Sequence, residues 1–414
     1  MLAAGCAVGL GNVWRFPFVV GQNGGAAFVL VYLLFLALFG FPILLAELSV
    51  GRGAKSGIAG ALRSLGGRGW GFIGLAVFAG NLLLMIYYTD VAGWLLKFTE
   101  AYAVAGSPPD FSALVAAKPT CLASMVAVVV IATAVCAVGV QRGVERVTKW
   151  MMISLLAIMG VLAVKSLTLE NAAKGLEFYL KPDWTPLLAN PGRVVLDAMG
   201  QAFFTLSIGV GAMTIFGSYV DRSESLVKEC AWIILIDTFV AFSSGLVIFP
   251  ACATFGVDVA SGSGLIFTAL PKVFAVMNGG RVWGFVFFLF LSLAALTTVI
   301  AVFECLIGGL LDMTNRNRAT VAAFVGAVVA ALSLPCVFID GALDFEDFLV
   351  SKIWLPLGGF AMSLFVSCRF GWGWEAFRDE ASAGRGMALP EWTRPVFRYV
   401  VPALIVLVIV SGLF

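Results

Sequence analysis

Residues 5–18, GCAVGLGNVWRFPF, put Gly5, Gly9, Gly11, Asn12 and Arg15 into an otherwise apolar stretch. Glycine interrupts a helix, and a peptide group freed inside hydrocarbon costs several kcal/mol unless it is buried in protein or lines a cavity. A break at Gly9 and Gly11 therefore turns backbone carbonyls into ligands for a hard cation, which takes oxygen. The same break presents N–H groups and the positive end of a half-helix beside Leu10 and Gly11, which favours an anionic group, a carboxylate. A second stretch, QAFFTLSIGVGAMTIFG (201–217), repeats the device with Thr205, Ser207, Gly209 and Gly211. Asp237 is an acid inside an apolar run and calls for a cation, while Arg15 calls for an acid across a water-filled path.

Other chemistry is excluded by what is missing. The chain has no histidine, so the usual metal ligand and proton shuttle are absent. Its eight cysteines (Cys6, Cys121, Cys136, Cys230, Cys252, Cys305, Cys336, Cys368) stand singly, with no CxxC pair, and read as packing residues. Without histidine or paired acids in the spans, an enzyme is not expected. A net charge of +2 leaves no basic face for nucleic acid.

The elements that position these residues follow from composition. Of 414 residues, 61% are hydrophobic and 12% charged, with a mean hydropathy of +1.01, the balance of an all-α polytopic membrane protein embedded in a lipid bilayer. A spanning helix needs about 20 apolar residues. The apolar runs predict about eleven spans, near 1–22, 26–52, 71–104, 120–139, 143–166, 193–220, 226–255, 280–311, 319–334, 346–370 and 394–413. Arg52, Lys55, Arg63 and Arg68 follow the second span without an acid, and Arg142, Arg146, Lys149, Arg316 and Arg318 fall on the same side. The positive-inside bias places the N-terminus in the cytoplasm and, with eleven spans, the C-terminus outside. Stretches 167–192 and 256–279 then lie on the external face, the latter expected to hold a short helix over the entrance. No n-region of a signal peptide precedes the first apolar run. Two glycine-broken spans five helices apart predict an inverted repeat, 1–166 against 193–370, with an extra helix at 394–413 and one domain over 1–414.

The motifs AVGLGNVWRFPF, NGGAAFVLVYLLF (23–35), PILLAELSVGR (42–52), IYY (86–88), GQAFFTLSIGVGA (200–212) and SLAALTTVIAVFE (292–304) occur in order along the chain. Together they resemble the neurotransmitter:sodium symporter family. The resemblance implies helices 1 and 6 unwound at the midplane and a multi-pass protein of the plasma (inner) membrane that imports a small molecule with Na⁺. It implies two Na⁺ ions. One would take the carbonyls of Ala7 and Thr205, the side chains of Asn12, Thr205 and Asp237, and the substrate carboxylate. The other would take the carbonyls of Gly5, Val8 and Ala294 with the hydroxyls of Thr297 and Thr298.

The implied substrate site uses both breaks. Where the family's monoamine carriers have an acid, this chain has Gly9, so an amino acid bringing its own carboxylate is expected. Tyr88 would donate to that carboxylate, and the carbonyls of Ala7, Phe204 and Thr205 with the Ser207 hydroxyl would receive the ammonium. Leu84, Phe204, Val210, Thr298 and Val302 would line an uncharged side-chain pocket, which favours a neutral hydrophobic or aromatic amino acid. Arg15 would pair with Asp347 in an outer gate above Tyr88 and Phe204. Asp312 matches the acid of an inner gate, with Tyr219 near it, although the gate's usual arginine and tryptophan partners do not precede the first helix.

Two departures carry expectations of their own. The family's animal members have asparagine where this chain has Asp237, and a chloride-holding serine where it has Ala241. Asp237 is thus expected to supply in fixed form the charge that chloride supplies elsewhere, so that no chloride is needed; proton counter-transport through Asp237 is the other reading. Six residues before Ala7 span about 9 Å of helix, too little to cross half a bilayer, so the expectation is a miscalled start, with a fragment or a protein lacking its inner gate as the alternatives. A proton-coupled amino acid carrier of the same architecture, or an amino acid binding or sensor protein without transport, remain as alternatives. The sequence leaves the oligomeric state open.

Overall fold

A computed structural model describes residues 9–138, 141–384 and 386–413. Every regular element among them is helical. In chain order, a π turn, Gly11–Arg15, leads into α1 (Phe16–Gln22), where Pro17 fits the first turn because its missing N–H has no partner there. The second span runs from α2 (Ala26–Phe35) through the π turn Leu36–Gly40 into α3 (Phe41–Ala54). Next come α4 (Ile58–Gly66), the long α5 (Arg68–Val104), α6 (Phe111–Ala116), α7 (Lys118–Val138) and α8 (Gln141–Leu167).

On the connection that follows lie α9 (Ala172–Leu180) and α10 (Thr185–Ala189). The sixth span is two helices, α11 (Pro191–Thr205) and α12 (Ala212–Tyr219), separated by residues 206–211. Then follow α13 (Leu226–Phe255), α14 (Leu265–Val276), α15 (Gly280–Met313) and α16 (Arg318–Phe338). The tenth span is α17 (Ala342–Phe348), a π turn Leu349–Trp354, and α18 (Leu355–Ser367). The chain closes with α19 (Trp374–Ala381) and α20 (Val401–Leu413). Side chains of Asn190, Ser225 and Asn317 accept N–H bonds at the starts of α11, α13 and α16, the ordinary device for a helix N-terminus.

Eight helices among the described residues are long and apolar enough to cross a membrane. Among the described residues, α8, the two halves of the sixth span, and α1 in the first span correspond to the other three spans read from the sequence, residues 1–8 lying outside the description. Observed boundaries run two to four residues beyond the expected ones at several ends, as at 68–104 for 71–104 and 318–338 for 319–334. Apolarity marks the hydrocarbon, whereas hydrogen bonding carries a helix past it. The short helix expected over 256–279 is α14.

Packing around the second break is main chain against main chain. A Cβ on Gly51 of α3 would sit 1.8 Å from the Thr214 carbonyl oxygen of α12, and one on Gly217 of α12 would sit 2.3 Å from that of Leu48. Small residues at a helix contact let backbones approach this closely, which dispersion rewards where lipid supplies no hydrophobic drive.

Candidate functional site

Both breaks meet at the centre of the molecule, and each is stabilised by side chains from other spans. At the first, the Gly9 N–H donates to Asn12 Oδ1 at 3.0 Å, and the Leu10 N–H to the Tyr88 hydroxyl at 3.2 Å. The Gly11 carbonyl accepts Gln201 Nε2 at 2.9 Å, and the Asn12 carbonyl accepts Ser244 Oγ at 2.7 Å. Backbone groups that lose helical partners have thus found polar ones, as burial requires.

At the second break, Ser207 (φ 53°), Gly209 (φ 89°) and Gly211 (φ 70°) occupy left-handed backbone. Glu47 of α3, fully buried, holds the result: its Oε1 accepts the N–H of Gly209 at 2.6 Å and of Gly211 at 3.3 Å, and its Oε2 that of Met213 at 3.2 Å. A carboxylate suits this place because the first N–H groups of α12 have no intrahelical acceptor and carry the positive end of its dipole. Glu47 was assigned no role from sequence. Its signal was there: an ionisable residue in the apolar run PILLAELSVGR.

Between the breaks lies a constellation from three spans. Asn12 Nδ2 stands 3.0 Å from Thr205 Oγ1, 2.9 Å from the Asp237 carbonyl and 2.7 Å from Asp237 Oδ1. Thr205 Oγ1 is 3.2 and 3.1 Å from the two Asp237 carboxylate oxygens. All three residues are buried. The sequence called for a cation beside Asp237. Among the described residues none pairs with it, and its carboxylate faces neutral groups only. An uncompensated negative charge of this kind fits a small hard cation.

The hydroxyls expected at the second ion are turned to their own helix. Thr297 Oγ1 donates to the Ala294 carbonyl at 2.8 Å, and Thr298 Oγ1 reaches the same oxygen at 3.3 Å. This is the bonding hydroxyls commonly make one turn back; it also gathers the three expected oxygens within one turn. Gly5, Ala7 and Val8, expected at the two ions and the substrate, lie outside the described residues.

A narrow, nearly closed cavity sits between the breaks, lined by Gly9, Gly11, Leu84, Tyr88, Phe204, Thr205, Ser207, Thr298 and Leu355. No charged side chain lines it. Leu10 is buried beside it through its bond to Tyr88. Two expected lining residues are displaced: Val210 and Val302 are fully buried but do not line the cavity. The Val210 carbonyl accepts Asn81 Nδ2 at 2.7 Å and its side chain fills the space over Gly80, which turns it away. Leu355, the first residue of α18, takes part of the wall instead. A Cβ on Gly9 would fall 2.3 Å from Thr298 Oγ1, so no larger side chain fits there without displacing Thr298.

One end of the cavity is shut. Arg15 grips Asp347 with two nitrogens, Nε to Oδ1 at 3.1 Å and a terminal nitrogen to Oδ2 at 3.2 Å. Its other contacts are Gln201 Oε1 at 2.7 Å and Ser351 Oγ at 2.8 Å, and its guanidinium lies 4.8 Å from the centre of the Phe204 ring. Tyr87 donates to Asp347 Oδ1 at 3.1 Å. Tyr87 and Tyr88 are about 100° apart on α5, so one serves the lid and its neighbour the cavity. Beyond the lid a polar vestibule opens, where Lys352 and Asp197 pair at 2.5 Å.

The expected acid of the inner gate has a different partner. Asp312 Oδ2 accepts the Gly57 N–H at 3.0 Å, capping α4, and Tyr219 is 43% exposed at the end of α12 with no hydrogen bond to it among those described. Gly57 precedes α4 in extended backbone with no cap of its own, and a helix N-terminus draws an acid.

Comparison with known proteins accords with this architecture. The model of the sodium:neurotransmitter symporter family matches residues 1–105 and 113–414. The chain is 31% identical, over 99% of its length and 95% of the other, to an uncharacterized sodium-dependent transporter of Bacillus subtilis (strain 168), YhdH. It is 28% identical, over 100% of its length and 96% of the other, to one from Haemophilus influenzae. Among solved structures, that of MhsT in complex with L-phenylalanine superimposes with a TM-score of 0.91 at 34% identity, over 99% of this chain and 97% of that one.

Proposed function

Since the chain belongs to the sodium:neurotransmitter symporter family and is thus a sodium-dependent, multi-pass membrane transporter, we propose that it imports a neutral, hydrophobic or aromatic amino acid with two Na⁺ ions. The observation that carries this is the uncharged cavity between two helix breaks, closed at one end by the Arg15–Asp347 fork. The substrate carboxylate goes to the Leu10 N–H and the Tyr88 hydroxyl, which already stand together, and the ammonium to the carbonyl side of the second break near Phe204, Thr205 and Ser207. Gly9 leaves no room for an acid that would pair with a monoamine. MhsT, of similar fold, is solved with L-phenylalanine. Burying a side chain of about 150–250 Å² at about 25 cal/mol per Å² supplies roughly 4–6 kcal/mol.

One Na⁺ belongs to the Asn12, Thr205 and Asp237 constellation with the carbonyl of Ala7, the other to Gly5, Val8, Ala294, Thr297 and Thr298. Asp237 gives the first site a permanent negative charge, so transport needs no chloride. The Arg15–Asp347 fork is the outer gate, the vestibule beyond it faces outside, and the N-terminus lies in the cytoplasm of a cell whose plasma membrane holds the protein. Repeats 1–166 and 193–370 rock against each other, with 394–413 as an added helix. Two charges moving inward gain about 4.6 kcal/mol per 100 mV, enough for roughly 10³-fold accumulation.

The test is uptake of each of the twenty amino acids into proteoliposomes under a Na⁺, K⁺ or pH gradient. Saturable, Na⁺-stimulated uptake of a hydrophobic or aromatic amino acid, unchanged when gluconate replaces chloride, is the expected result. Uptake driven by the pH gradient alone refutes sodium coupling, and binding without uptake marks a sensor.

A further inference from the structure

Asp90 lies two residues past Tyr88 on α5, about 200° around the helix from it, and so faces away from the cavity. It is 1% exposed, and neither of its carboxylate oxygens has a hydrogen-bond partner. The helices packed against α5 include α4, α7, α15, α16, α17 and α18. Within electrostatic reach of Asp90 are Lys118 and Cys121 from α7 and Cys336 from α16, and Glu346 of α17 lies within reach of Cys336. Lys118, the one cation among these, is committed elsewhere: its Nζ pairs at 2.9 Å with Asp340, which is 94% exposed. Cys336 is within electrostatic reach of both Asp90 and Glu346, and Glu346 Oε2 is likewise buried without a partner.

An ionised carboxylate with neither donor nor cation at this depth costs far more than the neutral acid, which forgoes only its hydrogen bonds to water. Glu346 directly precedes Asp347, the acid of the fork, and Tyr87 of α5 bonds to that same Asp347. The contact that shuts the lid therefore also holds α17 against α5, the helix that carries Asp90.

We propose that Asp90, backed by Glu346, is a proton-binding site behind the outer gate, filled from the outside solution when the gate closes. It is distinct from both proposed sodium sites. Separation of α17 from α5 on opening admits water and stabilises the charged carboxylate; closure removes that water, and a proton binds as COO⁻ becomes COOH. Because proton binding and closure are linked, each favours the other to the same extent. The inference rests on reading the Arg15–Asp347 fork as a gate.

Infrared spectroscopy of the full-length protein in lipid tests the site without any amino acid, so its failure is separate from failure of the substrate assignment. Wild type is expected to show the C=O stretch of a carboxylic acid free of hydrogen bonds, lost on raising the pH, lost in Asp90→Asn and retained in Lys118→Met. A wild type with no such band, or a band that only Lys118→Met creates, means a charged Asp90 and overturns the proposal. With Na⁺ and L-phenylalanine added in weak buffer, wild type is expected to take up a proton that Asp90→Asn does not, while the variant still binds. Equal proton uptake by both would overturn the link to closure.

Discussion

Replacing Glu47 by glutamine changes one atom and no volume, and the structure says what that atom does. The carboxylate receives three N–H groups, from Gly209, Gly211 and Met213, at 2.6, 3.3 and 3.2 Å, in a place without water to substitute. A hydrogen bond to a charged group contributes about 1.5–3 kcal/mol and a neutral one about 0.5–1.5. In Glu47→Gln the amide oxygen can keep Gly209 and Gly211, each weaker by about 1 kcal/mol, while the amide nitrogen turns a donor toward the Met213 N–H and leaves it orphaned at about 1–3 kcal/mol. The total is about 3–5 kcal/mol, close to that for removing one partner of a buried ionic contact. At roughly 2 °C per kcal/mol for a chain of this size, thermal unfolding in detergent should fall by about 6–10 °C. A thiol-reactive fluorophore suits the measurement, because the seven described cysteines are free and buried and become reactive only on unfolding. Glu47→Asp keeps the charge but is a methylene short, and should fall between. If Glu47→Gln unfolds with wild type and transports normally, the carboxylate is not what holds the break.

Two further outcomes follow from the same geometry. Arg15→Lys keeps the charge but loses the planar fork that reaches Asp347, Gln201 and Ser351 at once; a loss of about 2 kcal/mol in closure should release bound L-phenylalanine roughly 30-fold faster, and an unchanged release rate would count against the fork as the gate. Gly209→Ala places a Cβ 2.0 Å from the Leu355 carbonyl oxygen at φ 89°, whereas Gly67→Ala at φ 88° meets nothing within 4 Å. The first should abolish folded protein and the second cost only the left-handed strain of about 1–2 kcal/mol; comparable yields from gel filtration would show that crowding at the break has been overestimated.

How far the chain could be read depended on what each feature writes into it. Spans are written as runs of apolar residues, and 226–255 was legible to the residue. The sixth span's break was legible because only glycine takes left-handed backbone cheaply, and Gly209 and Gly211 stand there. Thr205 and Asp237 lie 193 and 225 positions from Asn12 along the chain; nothing local pairs them with it, and only the family resemblance put the three on one list. Glu47 went unassigned because its partners are backbone N–H groups, which leave no letter in a sequence. The bond from the Gly57 N–H to Asp312 was equally silent, since its donor is extended backbone. Tyr87 was overshadowed by Tyr88, since two adjacent tyrosines look alike until a helix turns them apart. The π turns at Gly11–Arg15, Leu36–Gly40 and Leu349–Trp354 shift the helical face by a fraction of a turn, less than a hydrophobic pattern resolves.

Only main chain lies between α3 and α12 at Gly51 and Gly217. Helices that meet through side chains can slide as those side chains change rotamer; helices that meet through carbonyls have nothing to repack and must travel as one piece. Glu47 ties the start of α12 to α3 as well. The second half of the broken span is thus a passenger of α3, and any change of angle between α11 and α12 has to be absorbed by the torsions of residues 206–211.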